Sequence, residues 1–216
     1  MRSSITLTPS LTLAISAAVA GVTLLPSAPA RADDPALGAT TFTVYDAFMS
    51  PAQEPGEESE TPKLLEKQLG ATKPSTPRAQ RTSRGHGKIR FARDLTTAYV
   101  DVEIKGVDPS DILMFHIHCG PPGGLGPILV DLGTKFVNGK LATKITNENI
   151  NFASMLPKGF KFKLPESCPI EPGFPVQVTT VGGMEHLARK GVLYFNLHTK
   201  AHTFYGEMRG QIYPVK

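Results

Sequence analysis

Two histidines one residue apart, His116 and His118, sit in the run Phe115-His116-Ile117-His118-Cys119, which leads into Gly120-Pro121-Pro122-Gly123-Gly124. Imidazole nitrogens are good ligands for copper and zinc. In a strand, alternate side chains share a face, so the two rings project to the same side. The glycine-proline run then turns the chain sharply away. A third ring, His198, ends the pattern Tyr194-Phe195-Asn196-Leu197-His198-Thr199. There Phe195 and Leu197 point one way, and Tyr194, Asn196 and His198 the other. The chemistry on offer is a three-imidazole site for copper or zinc. The same rings could instead be structural, hydrogen-bonded in the interior by backbone carbonyls or by a carboxylate such as Glu207. Both readings stay open at this level. His202 is either a fourth ligand or an exposed loop residue. His86, flanked by glycines, and His186, in a short helical stretch, read as surface residues.

Strands must bring these rings together. Thr97 to Val107 alternates, with Ala98, Val100, Val102 and Ile104 on one face and Tyr99, Asp101, Glu103 and Lys105 on the other, the mark of a half-buried antiparallel strand. Thr41–Phe48, Lys88–Ala92, Ile112–His118, Ile128–Leu132 and Leu141–Ile145 read as further strands. The last two, Val192–Thr199 and Gly206–Val215, should pair as a hairpin. In the second of them Met208 and Ile212 take the core side, which leaves Glu207, Arg209, Gln211 and Tyr213 opposite. Asn196, His198, Glu207 and Arg209 would then line one polar face, with Glu207 and Arg209 as an ion pair. With one short helix at Met184–Lys190, the pattern predicts an all-β fold. It would be an antiparallel, Greek-key-like sandwich or barrel of about eight strands. Ser50 to Arg84 is rich in proline and charge and poor in large apolar groups. It predicts a long polar insert, mobile over about 53–84 and solvated, with a helical turn or two at Pro62–Gly70.

No Gly-x-Ser-x-Gly or His-Glu-x-x-His motif is present, and the Gly120–Gly126 loop has no following helix or Lys-Ser/Thr pair of a phosphate cradle. The sequence advertises no reaction, and an enzyme is disfavoured. Residues 1–32 carry no acidic group, an apolar centre diluted with Ser, Thr and Gly, and a small-x-small ending at Ala30-Arg31-Ala32. This predicts a cleaved signal peptide rather than a retained anchor, hence a secreted or periplasmic protein (a plastid lumen address would look similar) with no stable membrane span. A short flexible lead-in, 33–40, would precede a single domain at 41–216. Removing Arg2 and Arg31 leaves 21 basic against 19 acidic residues, no signature of nucleic-acid binding. The only two cysteines, Cys119 and Cys168, are most simply a disulfide in an oxidising compartment; the alternative is Cys119 as a thiolate ligand beside the histidines.

The Phe115–His118 run, its Gly-Pro loop and Gly126-Pro127-Ile128-Leu129-Val130-Asp131-Leu132 resemble the "HIH…G…GP-V-V-L" signature of the CHRD domain, first defined in chordin. Leu193–Thr199 followed by Gly206-Glu207-Met208-Arg209-Gly210-Gln211-Ile212 resembles that family's closing "YVNVHT…GEIRGQI". Ala52-Gln53-Glu54-Pro55 is a weaker match to its opening "AQEVP". The long insert and the cysteine-bearing stretch near 147–172 depart from the pattern. The resemblance implies a secreted all-β domain with no assigned reaction, read first as a binding or interaction module for an unknown protein or extracellular partner. A thinner likeness is to the copper-ligand layout of copper/zinc superoxide dismutases. It would make His116, His118 and His198 copper ligands and Arg209 a cation near an anionic substrate, but the zinc loop has no counterpart here. A metal-binding periplasmic protein, and a dismutase-like redox enzyme after it, are therefore the alternative functions.

Overall fold

Alternation along the strands decides the architecture. In a computed structural model of the chain, β1 (Phe42–Met49), β2 (Arg84–Ala92), β3 (Ala98–Lys105) and β6 (Lys140–Ile145) form one antiparallel sheet, completed by the short β11 (Tyr213–Pro214) in the order β11-β1-β2-β3-β6. A second antiparallel sheet has the order β10-β9-β4-β5, from β10 (Met208–Gln211), β9 (Leu193–Thr199), β4 (Ile112–Cys119) and β5 (Ile128–Asp131). The structure describes residues 42–150, 168–171, 174–176 and 178–215. The expected signal peptide, the lead-in and most of the proline-rich stretch after Ile150 lie outside them.

Ala98, Val100, Val102 and Ile104 turn inward from the first sheet, and Phe115, Ile117, Phe195 and Leu197 from the second. Phe115 and Phe195 stack across neighbouring strands with ring centroids 5.6 Å apart. The result is a sandwich, not a closed barrel. A small hairpin, β7 (Cys168–Glu171) with β8 (Phe174–Val176), adds to the expected strands. Cys119 and Cys168 are joined, with Cα atoms 5.5 Å apart, so Cys119 is no thiolate ligand.

Two α-helices are described. In α2 (Val181–Arg189), Val181, Met184, Leu187 and Ala188 form the buried stripe, and the Thr180 hydroxyl accepts from Gly183 N–H at its start. The other, α1 (Lys63–Leu69), lies in the insert where Pro62 and Gly70 bracket it. The insert departs from the sequence reading only near its two ends, since residues 59–80 are exposed or half-buried. Glu54, Glu58, Arg81 and Ser83 are buried, each with hydrogen bonds to the last third of the chain. Among the described residues no helix is long and apolar enough to cross a membrane.

Candidate metal centre

The outward face of a sandwich sheet normally meets water. In β4 and β9 it does not: from Phe115 to Cys119 and from Leu193 to Thr199 every residue is buried on both faces. The second face carries the polar residues. Register sets them in rows across the sheet. His116 lies opposite Asp131 on β5 and Asn196 on β9, and Asn196 lies opposite Arg209 on β10. In the next row His118 lies opposite Tyr194. His198 faces Met114 on the same strand pair, two residues along from Asn196, and so sits diagonally to His116.

His116, His118 and His198 are therefore brought together, and each offers a ring nitrogen within 4.8 Å of the other two. Nitrogens sharing a tetrahedral zinc at about 2.0–2.1 Å stand roughly 3.3 Å apart. The nitrogens would have to close by up to about 1.5 Å to share an ion. The three rings are 3%, 9% and 5% exposed.

Which nitrogen each ring presents follows from its other contacts. His118 Nδ1 donates to the Gly126 carbonyl at 2.9 Å, and its Nε2 is buried with no protein partner. His198 Nδ1 donates to the Thr203 carbonyl at 3.0 Å, which leaves Nε2 for the cluster. His116 is reversed: Nε2 lies 3.9 Å from the Asp131 carboxylate, and Nδ1 is the buried atom with no protein partner. Carbonyls and carboxylates on the far nitrogen are what fixes the tautomer and ring angle of a metal-binding histidine. Gly126 can offer its carbonyl only because it has no side chain; a Cβ there would stand 1.6 Å from the Cys119 carbonyl oxygen.

Burial keeps the rings neutral. His116 is pulled down to about 2 by loss of solvent and by the other two rings. His118 falls to about 4, with Arg209 adding to the effect of burial, and His198 to about 3 by burial and His118. At neutral pH the face holds three lone-pair donors, the protonation state metal binding needs.

Arg209, Glu207 and His202 are placed differently from the sequence reading. Arg209 does not pair with Glu207, nor does it face open space as a substrate cation would. It is 1% exposed, stacks over the Tyr194 ring at 3.5 Å, and donates to the carbonyls of Gly124 (2.6 Å) and Pro121 (2.8 Å) and to Gln211 Oε1 (3.0 Å). Glu207 precedes β10 and turns instead to Ser83 and His202. Although burial favours its neutral form, those hydrogen bonds hold its carboxyl below the usual range. His202 is buried, not exposed. Its Nδ1 pairs with Glu207 and its Nε2 meets the Thr76 backbone at 3.1 Å, so it stands outside the cluster of three. Asn196 donates to the Glu54 carboxyl at 3.2 Å, and burial pushes that carboxyl up to about 8 against the pull of Arg209. His186 is exposed, while His86 stacks on the exposed Phe48 at 4.7 Å.

Several participants had no role in the sequence reading. Tyr194 stacks on His118 at 5.0 Å and takes the Gly126 N–H on its hydroxyl at 3.1 Å, so one ring supports both the histidine and its loop. Asp131 ends an apolar strand, and the row opposite His116 could have been found only from the pairing of β4 with β5. Glu54 did carry a signal, as part of Ala52-Gln53-Glu54-Pro55.

No curated protein and no solved structure matches the chain. A family model does, over residues 65–212, a span that contains all three histidines, the Gly126 and Thr203 carbonyls and both cysteines. The described β1, outside that span, is nonetheless an internal strand of the five-stranded sheet. With more than half of its length matched, the chain belongs to the CHRD domain family.

Proposed function

We propose that this CHRD domain binds one copper or zinc ion through His116 Nδ1, His118 Nε2 and His198 Nε2, and that the protein is exported and carries the ion as a metal-binding module rather than as an enzyme. The observation that carries the reading is the pair of buried ring nitrogens, His116 Nδ1 and His118 Nε2, left without protein partners beside a third ring. A buried polar atom without a hydrogen bond costs about 1–3 kcal/mol. A purely structural trio would be expected to spend these nitrogens on hydrogen bonds; a shared cation gives both atoms a use. The domain is taken to run from 41 to 216, since β1 pairs with both β2 and β11.

Metal analysis after loading the purified protein and removing free ions tests the proposal. About one equivalent of copper or zinc is expected in the wild type, and none in His116→Ala/His118→Ala with an unchanged circular dichroism spectrum. A wild-type protein that stays metal-free would leave the family's other reading, a module for an extracellular protein partner.

A further inference from the structure

The insert that departs from the family pattern is fastened to the turn that orients His198. Glu58, 8% exposed, points into the turn Thr203-Phe204-Tyr205. Its Oε1 accepts from the Thr203 hydroxyl at 2.7 Å and from Phe204 N–H at 3.1 Å, and its Oε2 accepts from Phe204 N–H at 3.1 Å and Tyr205 N–H at 3.3 Å. A buried carboxylate that gathers successive backbone N–H groups behaves as a fixed anchor, because losing the bonds would strand both charge and donors. The residue so anchored is the one whose carbonyl takes the His198 Nδ1–H at 3.0 Å.

Other contacts fasten the same segment. The Leu69 carbonyl at the end of α1 lies against the Thr203 hydroxyl as an alternative acceptor for its one hydrogen. Arg81 donates to the carbonyls of Gly206 and Glu207, both at 2.9 Å. Thr72 N–H donates to the Lys200 carbonyl at 2.8 Å. Of these contacts, Glu58 takes both the Thr203 hydroxyl and the two backbone N–H groups that follow the Thr203 carbonyl.

We propose that Glu58 is a positioning residue for the three-histidine site. By holding the 203–205 turn it fixes the Thr203 carbonyl, which keeps His198 as the Nδ1–H tautomer with Nε2 directed at the cluster. The inference rests on the metal reading above for its consequence, but its structural half is readable without a metal. Glu58 lies seven residues before the span matched by the family, which begins at 65 within the same polar segment.

The test uses the full domain with Glu58→Gln, which keeps the volume but replaces one acceptor oxygen with a donor. Glu66→Gln, at an exposed carboxylate of the same insert, is the control. Long-range proton–nitrogen NMR on metal-free protein reads the His198 tautomer, and competition with a chelator reads copper and zinc affinity. Wild type and Glu66→Gln are expected to show a protonated Nδ1. Glu58→Gln is expected to show a mixture of tautomers and an affinity lower by about 10-fold or more, the usual effect of losing an outer partner of a metal-binding histidine. An unchanged tautomer with affinity within about twofold of wild type overturns the proposal. If the wild type takes up neither metal, the function proposed above fails, and the tautomer measurement alone decides the role of Glu58. Should Glu58→Gln fail to fold, Thr203→Val removes one of the same bonds and is expected to shift the tautomer in the same direction; no shift in that variant overturns the proposal.

Discussion

At the scale of single residues, the cluster is organised by what each ring does with its second nitrogen. Gly126 and Thr203 take an N–H from His118 and His198, and Asp131 stands off the far side of His116. This is why a metal role and a structural role make opposite predictions for His116. If the ring were a structural hydrogen-bonder, replacing it would strand its partners and destabilise the fold. If its buried Nδ1 is kept for a cation, His116→Leu removes an unpartnered polar atom from the interior. The metal-free variant is then expected to be at least as stable as the wild type, by up to about 1 kcal/mol, while retaining no metal. Chemical denaturation of both metal-free proteins measures this, and a loss of more than about 2 kcal/mol would count against the metal role.

At the scale of elements, β4, β9 and β10 hold the site, and the loop after β4 is folded back over it. The histidine strand and the closing hairpin were legible because alternation in Phe115–His118 and Tyr194–His198 is unbroken. Alternation also placed Arg209 correctly on the histidine face. It could not show that the Tyr194 ring lies between the guanidinium and His118, or that Glu207, sitting before the strand begins, turns to His202 and Ser83. Such partners depend on how loops close, which side-chain period does not encode. Arg209 is the clasp: its planar fork bonds two carbonyls of the 120–126 loop while its face lies on Tyr194. Lysine can supply charge but neither the fork nor the stack. Arg209→Lys is therefore expected to lower unfolding free energy by about 2 kcal/mol, read from the denaturant midpoint. A change below about 0.5 kcal/mol would show that the clasp carries little.

At the scale of the whole molecule, the sandwich has a conventional apolar core between its sheets and a second, polar interior on the outer side of the four-stranded sheet. The first was legible from the inward positions of the strands, such as Val100 and Ile117. The second was not, because its cover is the insert, and an argument from apolar content assigns a segment with Glu54, Glu57, Glu58 and Arg81 to solvent. Glu54, Glu58 and Arg81 are instead buried against Asn196, the 203–205 turn and the carbonyls of Gly206 and Glu207, while Glu57 pairs with Arg78 and Arg81 inside the insert. Hydrogen bonds to these polar groups substitute for apolar burial there. The disulfide closes a separation of 49 residues next to His118 and fixes the end of the histidine strand from the other side. The three rings are the part of this second interior with unpartnered nitrogens, so the account stands on whether they share an ion. Anomalous X-ray diffraction from copper- or zinc-loaded crystals tests that most directly. It should give one strong peak about 2.0–2.1 Å from His116 Nδ1, His118 Nε2 and His198 Nε2. No peak there, or the principal peak at surface histidines such as His86 and His186, would contradict it.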